Sequence, residues 1–427
     1  MKSHLFIYGL AIFVRVFLIY SDYREDIADR IEISTPLNSF NRILESYYRM
    51  SIGVDPYSSD VLHESPLHLH FYKHLIENTG QYLPLVFVFC DVLTAYLLYL
   101  FAKKYIFHLR IEQYVNMNLY LKHLKDQMLK VTDNEAIPLY VTVMYLFNPY
   151  IIFNCVACTT TTFLNLCLAT FLYGICSGSV IIGSVSLAIA TLQSLYPVIL
   201  ISALYLSILK YQKSMLKAVM SVVLCISLLA VFIFSSYCLM KSWNFIPQTY
   251  GFILQVSDQQ PNIGIYWYFF MEMFEHFKEL FIYSYQINVT ILYFIPLTIK
   301  FRKDPILLGV CFIMLTGIFK SYPSIGDFGF SLALLPVMKY MYNCMQQIFV
   351  SIVAIITTTT LAPILWNLWI YWGSANANFF FGTTLAFITA HIFILTDVSF
   401  AHSKHDYLLK YGNDRTINGQ PAKLVLG

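Results

Sequence analysis

Charged side chains are scarce in this chain. Only 12% of its 427 residues are Asp, Glu, Lys or Arg, whereas a soluble domain carries about a quarter. This scarcity excludes an ordinary soluble enzyme, and 58% of the residues are hydrophobic. With a mean hydropathy of +0.62, the sequence predicts an all-α polytopic membrane protein that forms a single multi-span domain over residues 1–427.

Motifs for catalysis and metal binding are also missing from the sequence. It contains no Gly-rich phosphate loop, no nucleotide fingerprint and no nucleophile–base pair with a known spacing. The nine Cys residues are scattered, and the lone C-x-x-C of Cys155 and Cys158 is better explained by two small residues at a helix end. A net charge of +3 is too small to indicate nucleic-acid binding. We therefore expect no metal, no cofactor and no nucleic-acid partner.

Apolar runs that cross, or nearly cross, a bilayer recur along the whole chain, and we count about twelve of them. The first, from Leu5 to Tyr20, lacks a small-residue cleavage site and is expected to remain as a span. A break is expected at Tyr196-Pro197. The runs are approximately 4–20, 83–102, 137–153, 160–176, 179–193, 195–209, 217–240, 279–299, 305–319, 329–345, 347–368 and 379–398.

Basic residues orient these spans. They concentrate in four segments that fall on one side of the membrane if there are twelve crossings. By the positive-inside rule this side is cytosolic, so both termini are predicted to be cytosolic. The basic residues are Lys103, Lys104, Arg110, Lys122, Lys125 and Lys130 in the loop 103–136, Lys210, Lys213 and Lys217, Lys300, Arg302 and Lys303, and Lys404, Lys410, Arg415 and Lys423 in the tail.

The opposite side receives the longer polar connections, which are 21–82, 241–278, 320–328 and 369–378. The first of them is net acidic and is expected to contain short amphipathic helices around 37–50 and 66–77. Functional residues in membrane proteins gather on such connections, so we look for a site there.

The connection near the end of the chain is the most distinctive. It follows an apolar run rich in Trp and contains Gly373, Ser374, Asn376 and Asn378 before apolar residues resume at Phe379. Uncharged amide groups at a membrane surface suit a polyhydroxyl ligand such as a glycan. They equally suit the capping of two helix ends. The local sequence leaves both interpretations open.

Three acidic residues, Asp22, Glu25 and Asp26, directly follow the first span. This is the placement of the acidic pair in multi-span, lipid-sugar-dependent glycosyltransferases, in which a carboxylate acts as a general base. The alternative is the solvated start of an acidic amphipathic helix.

Two further segments that contain acidic residues have competing explanations. Glu272, Glu275 and His276 are spaced to share one helix face, which fits a metal or acid–base site or, more simply, pairing with a neighbour. Asp327 at a span end is either a functional carboxylate or a helix cap.

A series of short motifs occurs in order over nearly the whole chain. They are Gly53-Val-Asp-Pro-Tyr-Ser, His63-Glu-Ser-Pro-Leu67, Leu146-Phe-Asn-Pro-Tyr150, Gln193-Ser-Leu-Tyr-Pro197, Trp243-Asn-Phe-Ile-Pro247, Pro261-Asn-Ile-Gly264, Trp267-Tyr-Phe-Phe270, Met273-Phe-Glu-His-Phe277, Phe319-Lys-Ser-Tyr-Pro323 and Leu368-Trp-Ile-Tyr-Trp-Gly-Ser-Ala-Asn376. Together these motifs resemble the PIG-U family, a subunit of the glycosylphosphatidylinositol (GPI) transamidase.

The resemblance implies a multi-pass subunit in the endoplasmic reticulum membrane, so that the four polar connections are lumenal. The complex joins the new carboxyl end of a precursor protein to a GPI lipid through a thioester. Its Cys–His dyad belongs to a caspase-like partner subunit, so we expect no catalytic residue in this chain. The implied role is to bind and position the GPI glycolipid, and the precursor is contacted only indirectly.

Within this interpretation, Asn376 and Asn378, with Ser374 and Gly373, are the expected GPI-binding residues. Lys213 and Lys217 are candidates for contact with membrane phospholipid headgroups on charge alone. The family is also similar in architecture to the GPI mannosyltransferases, which gives an expected glycosyltransferase-C-like arrangement. A lumenal lipid-linked-sugar-dependent mannosyltransferase is therefore the alternative function.

Overall fold

The computed structural model describes residues 2–120, 128–258, 260–412, 416–417 and 420–421. Four of the predicted cytosolic basic residues lie outside the described residues. They are Lys122 and Lys125 of the loop 103–136, and Arg415 and Lys423 of the tail. The described parts are helical apart from an antiparallel pair of two-residue strands, β1 (Thr416–Ile417) and β2 (Gln420–Pro421).

The α-helices of the described residues fall into two halves of the chain. The first half contains α1 (Lys2–Ile19), α2 (Tyr23–Ala28), α3 (Phe40–Ser51), α4 (Pro66–Thr79), α5 (Leu83–Val115), α6 (Asp133–Leu146), α7 (Pro149–Val156), α8 (Thr161–Cys176), α9 (Val180–Ser194) and α10 (Ile201–Gln212). The second half contains α11 (Met215–Met240), α12 (Phe252–Gln255), α13 (Tyr266–Glu272), α14 (Glu275–Ile287), α15 (Tyr293–Lys300), α16 (Pro305–Phe319), α17 (Ile325–Ala333), α18 (Ile348–Ile370) and α19 (Ala377–Tyr411). Short 3-10 helices lie at Gly80–Tyr82, Met117–Leu119, Tyr196–Leu200 and Leu335–Cys344, and π-helices lie at Pro247–Gly251 and Asn288–Leu292.

Long apolar helices are fewer than the sequence suggested. Among the described residues, four helical segments are long and apolar enough to cross a membrane, and the count reaches five if the bent pair α6–α7 is one span. The four segments are Pro66–Val115, Met215–Met240, Ile348–Ile370 and Ala377–Tyr411. By length and composition the described residues therefore give four or five candidate spans, together with the shorter apolar helices His4–Ile19, Thr161–Cys176, Val180–Ser194 and Pro305–Phe319.

Several predicted spans are interrupted, and each interruption has a local cause. The run 137–153 bends by 49° between α6 and α7, because Pro149 starts a new helix that Asn148 caps. The expected break at Tyr196-Pro197 is present as a 3-10 helix. The run 279–299 contains a π-helical turn, and 329–345 changes from α-helix to 3-10 helix next to Pro336.

The core forms around short helices that are apolar on every side. In α16, thirteen of the fifteen residues are buried, as expected of a helix without a polar face. It packs against α10, α17 and α19. Long α5 packs against α6 and α8, and its residues Leu98, Phe101 and Ala102 are fully buried in the same core cluster.

Two glycines allow α17 to lie directly against α7. A Cβ at Gly326 would come within 2.6 Å of the Asn154 side chain, and one at Gly329 within 2.9 Å of Ile151. Any larger residue at either position would force the two helices apart. The glycines of the Ser-Ile-Gly-Asp-Phe-Gly segment are therefore packing residues.

The four polar connections that were assigned to one side of the membrane meet at one end of the helices. Hydrogen bonds join them in pairs. The connections 21–82 and 320–328 are joined by the Ile325 N–H, which donates to the Glu32 carbonyl at 2.9 Å. The connection 241–278 contacts both of them: the Asp258 N–H donates to the Tyr322 hydroxyl at 3.1 Å, and His63 Nδ1 lies 2.7 Å from the Gln248 carbonyl. It also contacts 369–378, since the Tyr268 hydroxyl donates to Asn378 Oδ1. The predicted amphipathic helices in the first connection are confirmed as α3 and α4.

The segments assigned to the other side also contact each other. Lys210 Nζ lies 2.9 Å from Glu112 Oε2 and donates to the Lys303 carbonyl at 2.8 Å. Nearby, the Tyr105 hydroxyl donates to Asp304 Oδ2 at 2.7 Å. The helices therefore form an array with two chemically distinct ends.

Candidate functional site

The loop between α18 and α19 is a tight turn at the end with the longer polar connections. Gly373 has a φ of +61°, a conformation that other residues adopt with strain. The N–H groups of Ser374 and Ala375 both donate to the Leu368 carbonyl, at 2.9 and 3.3 Å. These bonds close α18 and turn the chain back, while the side chains of the loop remain exposed.

Asn376 caps α19. Its Oδ1 accepts hydrogen bonds from the N–H groups of Asn378 at 3.1 Å and Phe379 at 3.4 Å, as an N-cap side chain does. The capping interpretation therefore accounts for the oxygen. The same side chain is exposed, and its Nδ2 amino group has no hydrogen-bond partner among the described residues. Two amide donors remain directed to whatever lies outside the loop.

Asn378 is held by a neighbouring connection. Its Oδ1 accepts a hydrogen bond from the hydroxyl of Tyr268, and the Tyr268 ring stacks on Phe381 at a centroid distance of 4.7 Å. Beneath this pair, Trp267 and Phe380 are buried in an aromatic cluster. The two asparagines therefore project from a rigid base of packed rings.

A groove of about 660 Å³ begins at Asn378 and follows the α18–α19 pair. Its floor includes the small residues Gly382 and Ala386 of α19 and Ala354 of α18, and its far end reaches Phe349. From Phe349 to Leu365 the α18 wall spans about 24 Å, which is most of the roughly 30 Å hydrocarbon core of a bilayer. A polar loop at one end of a long apolar groove suits an amphipathic ligand.

The two lysine candidates lie at the opposite end of the array. Lys213 ends α10 with a φ of +50° and is exposed. Lys217 Nζ donates to Gln212 Oε1 at 3.0 Å. They therefore belong to a surface separate from the Asn376 loop.

The prediction that Glu272, Glu275 and His276 share a helix face is wrong. Helix α13 ends at Glu272, Met273 is extended with a ψ of 142°, and α14 starts at Glu275. The first carboxylate and the other two side chains therefore belong to different helices. Within the described residues, no group of three His, Cys, Asp or Glu side chains is arranged to hold a metal ion.

Asp327 is a structural cap. It forms a capping box with Ser324 at the start of α17, and its carboxylate accepts from Lys320 Nζ at 3.1 Å. Asp22, Glu25 and Asp26 are exposed on and next to the short helix α2. Their exposure fits the solvated start of a helix, which was the alternative to a general base.

Sequence reasoning brought Gly373, Ser374, Asn376 and Asn378 together because they are neighbours in the chain. It missed Tyr268, whose contact with Asn378 joins positions 110 residues apart. It also did not single out Arg30 and Glu32 of the first polar connection, which both line a second cavity. Nothing in the sequence marks these long-range placements.

Comparisons with known proteins agree over almost the full length of the chain. A family model described as "GPI transamidase subunit PIG-U" matches residues 9–387. The chain is 38% identical to the human protein named "GPI-anchor transamidase component PIGU", covering 98% of each. It is 37% identical to the Cricetulus griseus protein of the same name, again over 98% of each, and 29% identical to "GPI transamidase component GAB1" of Saccharomyces cerevisiae, over 93% of each. The chain belongs to the PIG-U family.

Proposed function

We propose that this protein is a subunit of a GPI transamidase in the endoplasmic reticulum membrane, and that it binds and positions the GPI lipid. Family membership over residues 9–387 supports the first part, as does the 98% coverage of relatives named as transamidase components. The second part is carried by the Asn376 loop at the head of the α18–α19 groove.

The proposed topology has about twelve crossings, some of them by short or broken helices, in a glycosyltransferase-C-like arrangement. Both termini and the loop 103–136 are cytosolic, and the connections 21–82, 241–278, 320–328 and 369–378 are lumenal. The contacts that gather these connections at one end and the basic loops at the other support it.

In the proposed complex, the GPI glycan meets the lumenal loop and an acyl chain lies in the groove. Asn376 offers its two free amide donors, and Asn378, Ser374 and the exposed backbone near Gly373 complete a neutral polar surface. Amide groups bind sugar hydroxyls or phosphate without adding charge. The groove continues directly from Asn378 into the apolar helices, which matches a glycolipid in polarity as well as in length.

The chain supplies no catalytic residue in this proposal. The thioester is formed by the Cys–His dyad of a caspase-like partner subunit, and the precursor protein meets this chain only through the complex. Holding the attacking amine of the lipid near the thioester accelerates transfer, because it removes the entropic cost of bringing two reactants together. Lys213 and Lys217 contact phospholipid headgroups on the cytosolic side.

The lipid composition of cells depleted of this protein tests the proposal against a mannosyltransferase. A transamidase subunit leaves the complete GPI lipid unattached, so that this lipid accumulates. A mannosyltransferase using Asp22 as a base instead leaves a truncated glycolipid, which Asp22→Ala would reproduce. Accumulation of the truncated species would overturn the proposed function.

A further inference from the structure

A second cavity, of about 760 Å³, lies inside the helix array. Its volume is within the range of small-molecule sites in proteins. Along α18 it extends from Ile352 to Pro363, about 16 Å of helix, or about half of a bilayer core. Thr358 lines both this cavity and the α18–α19 groove, but the other α18 residues that line the cavity lie on a different face from those that line the groove.

The walls of the cavity are apolar over most of their length, with side chains such as Phe147, Ile355 and Phe387. Tyr150 and Thr359, which also line it, satisfy each other by a hydrogen bond. The lining therefore favours hydrocarbon, and it is long enough to hold an acyl chain of one leaflet.

The first polar connection contributes two charged side chains to the lining of the cavity. Arg30 and Glu32 both line it, and the Ile325 N–H fixes this segment by donating to the Glu32 carbonyl at 2.9 Å. Arg30 is half-buried, and its guanidinium forms no ion pair or side-chain hydrogen bond among the described residues. A guanidinium at the mouth of an apolar cavity is complementary to a phosphate.

The Glu32 side chain gives independent support for a bound molecule. The residue is 8% exposed, and its Oε1 has no hydrogen-bond partner in the described structure. Buried polar atoms almost always have a partner. Burial raises the pKa of the Glu32 carboxyl, which favours the protonated form and so allows this group to donate to a ligand oxygen.

We propose that this cavity binds a phosphatidyl lipid, with an acyl chain between α6, α18 and α19, the phosphodiester on Arg30 and a neighbouring headgroup oxygen on Glu32. The proposal does not rest on the role of the Asn376 loop. The lipid is either a resident membrane phospholipid or the phosphatidylinositol part of the GPI lipid, since both present the same chemistry to these residues.

The test measures binding of two probes to the full chain, purified in mild detergent and stripped of lipid. Dioleoyl phosphatidylinositol carries the phosphodiester, and dioleoylglycerol has the same chains without it. We expect the wild type to prefer the first by about tenfold to a hundredfold, the value of a charge-assisted hydrogen bond. Arg30→Gln should abolish this preference, whereas Arg30→Lys should retain most of it.

Matched controls separate the charge from the cavity. Arg49→Gln removes an arginine of the same connection that is paired with Glu45, and should leave the preference intact. Ile356→Trp fills the cavity and should weaken both probes, whereas Ile364→Trp, on the same helix but outside the cavity lining, should not. If Ile356→Trp does not fold, the comparison of Arg30→Gln with Arg30→Lys still tests whether Arg30 binds the phosphodiester.

Mass spectrometry of lipid retained by the untreated protein identifies the natural source. A phosphatidyl lipid without glycan indicates a resident phospholipid, and one with glycan indicates the GPI lipid; either supports the site if Arg30→Gln loses it. Equal preference for the phosphodiester in wild type and Arg30→Gln would overturn the proposal. Asn376→Ala with Asn378→Ala should leave this binding unchanged, so failure here is distinguishable from failure of the proposed function.

Discussion

Arg15 of α1 and Asp91 of α5 form an ion pair inside the helix array, with the Arg15 Nε donating to Asp91 Oδ2 at 2.6 Å. Their side chains are 0% and 2% exposed. Arg15 Nη1 also donates to the Leu146 carbonyl at 2.9 Å, and the Tyr145 hydroxyl donates to Asp91 Oδ1 at 2.7 Å. The pair therefore ties α1 and α5 to the end of α6.

Removing one partner of this pair should destabilise the protein strongly. Asp91→Leu leaves an unpaired buried guanidinium, and we expect a loss of about 3–5 kcal/mol. Arg15→Met combined with Asp91→Leu should recover most of it, because no uncompensated charge remains. Thermal unfolding in detergent measures the stability of the single and the double variant. Lys410→Ala is the control, because it removes an exposed ion pair with Asp406 and should change stability little. A double variant no more stable than Asp91→Leu would contradict this account.

A second prediction concerns pH and the buried Glu64. The residue is 3% exposed, and burial raises the pKa of its carboxyl to about 8. The unfolded value is about 4.3, so the folded protein binds the extra proton. Its stabilising contribution is present in full below the unfolded value and is lost as the pH rises through 8.

At pH 6.5 this loss should have a slope of about 1.4 kcal/mol per pH unit, and the slope should fall to about half of that at pH 8, where half of the Glu64 carboxyl groups of the folded protein have lost their proton. The window avoids His63, whose pKa is lowered to about 4 by burial and which destabilises the fold only as the pH falls below about 6.5. Thermal unfolding across the window should show a shallower slope for Glu64→Gln than for wild type. Glu77→Gln, at an exposed position of α4, should behave as wild type, and parallel curves for all three proteins would refute the assignment.

Helix ends offer a third prediction. Lys213 adopts a left-handed conformation, which costs a residue with a side chain about 1 kcal/mol, so Lys213→Gly should stabilise the protein by that amount. Lys217 lies in the first turn of α11, where Lys217→Gly should destabilise it, since glycine weakens a helix. Chemical or thermal unfolding should give opposite signs, and equal signs would rule out the backbone explanation.

Asn376 allows the capping and ligand roles to be separated. Asn376→Asp and Asn376→Ser both retain an oxygen that caps α19 but lack the amide donors. We expect thermal stability to remain within about 0.5 kcal/mol of wild type, while attachment of GPI to a reporter protein falls. The serine variant controls for the charge that aspartate introduces. Normal attachment in both variants would leave Asn376 as a cap alone.

The features that the sequence predicted well are those that depend on neighbouring residues. Amphipathic periodicity gave α3 and α4, and Tyr196-Pro197 gave a helix break, because side-chain period and proline geometry act locally. The Asn376 loop was found for the same reason. The break between α13 and α14 was missed because the extended conformation of Met273 has no marker in the sequence.

The second cavity was also beyond sequence reasoning. It exists because the segment with Arg30 and Glu32 packs against helices more than 100 positions away in the chain, such as α6 and α18. Asn376 illustrates a different limit. Both predicted roles use the same side chain, and the structure assigns the oxygen to the cap while leaving the amino group exposed.

The most direct test of the central proposal is GPI attachment in cells that carry Asn376→Ala together with Asn378→Ala. Attachment to a reporter should fall, the complete GPI lipid should accumulate, and the complex should still assemble, as judged by co-purification of its subunits. Asn78→Ala with Asn244→Ala, two exposed asparagines outside the loop, should attach GPI normally. Normal attachment in the Asn376–Asn378 variant would contradict the proposed role of this loop.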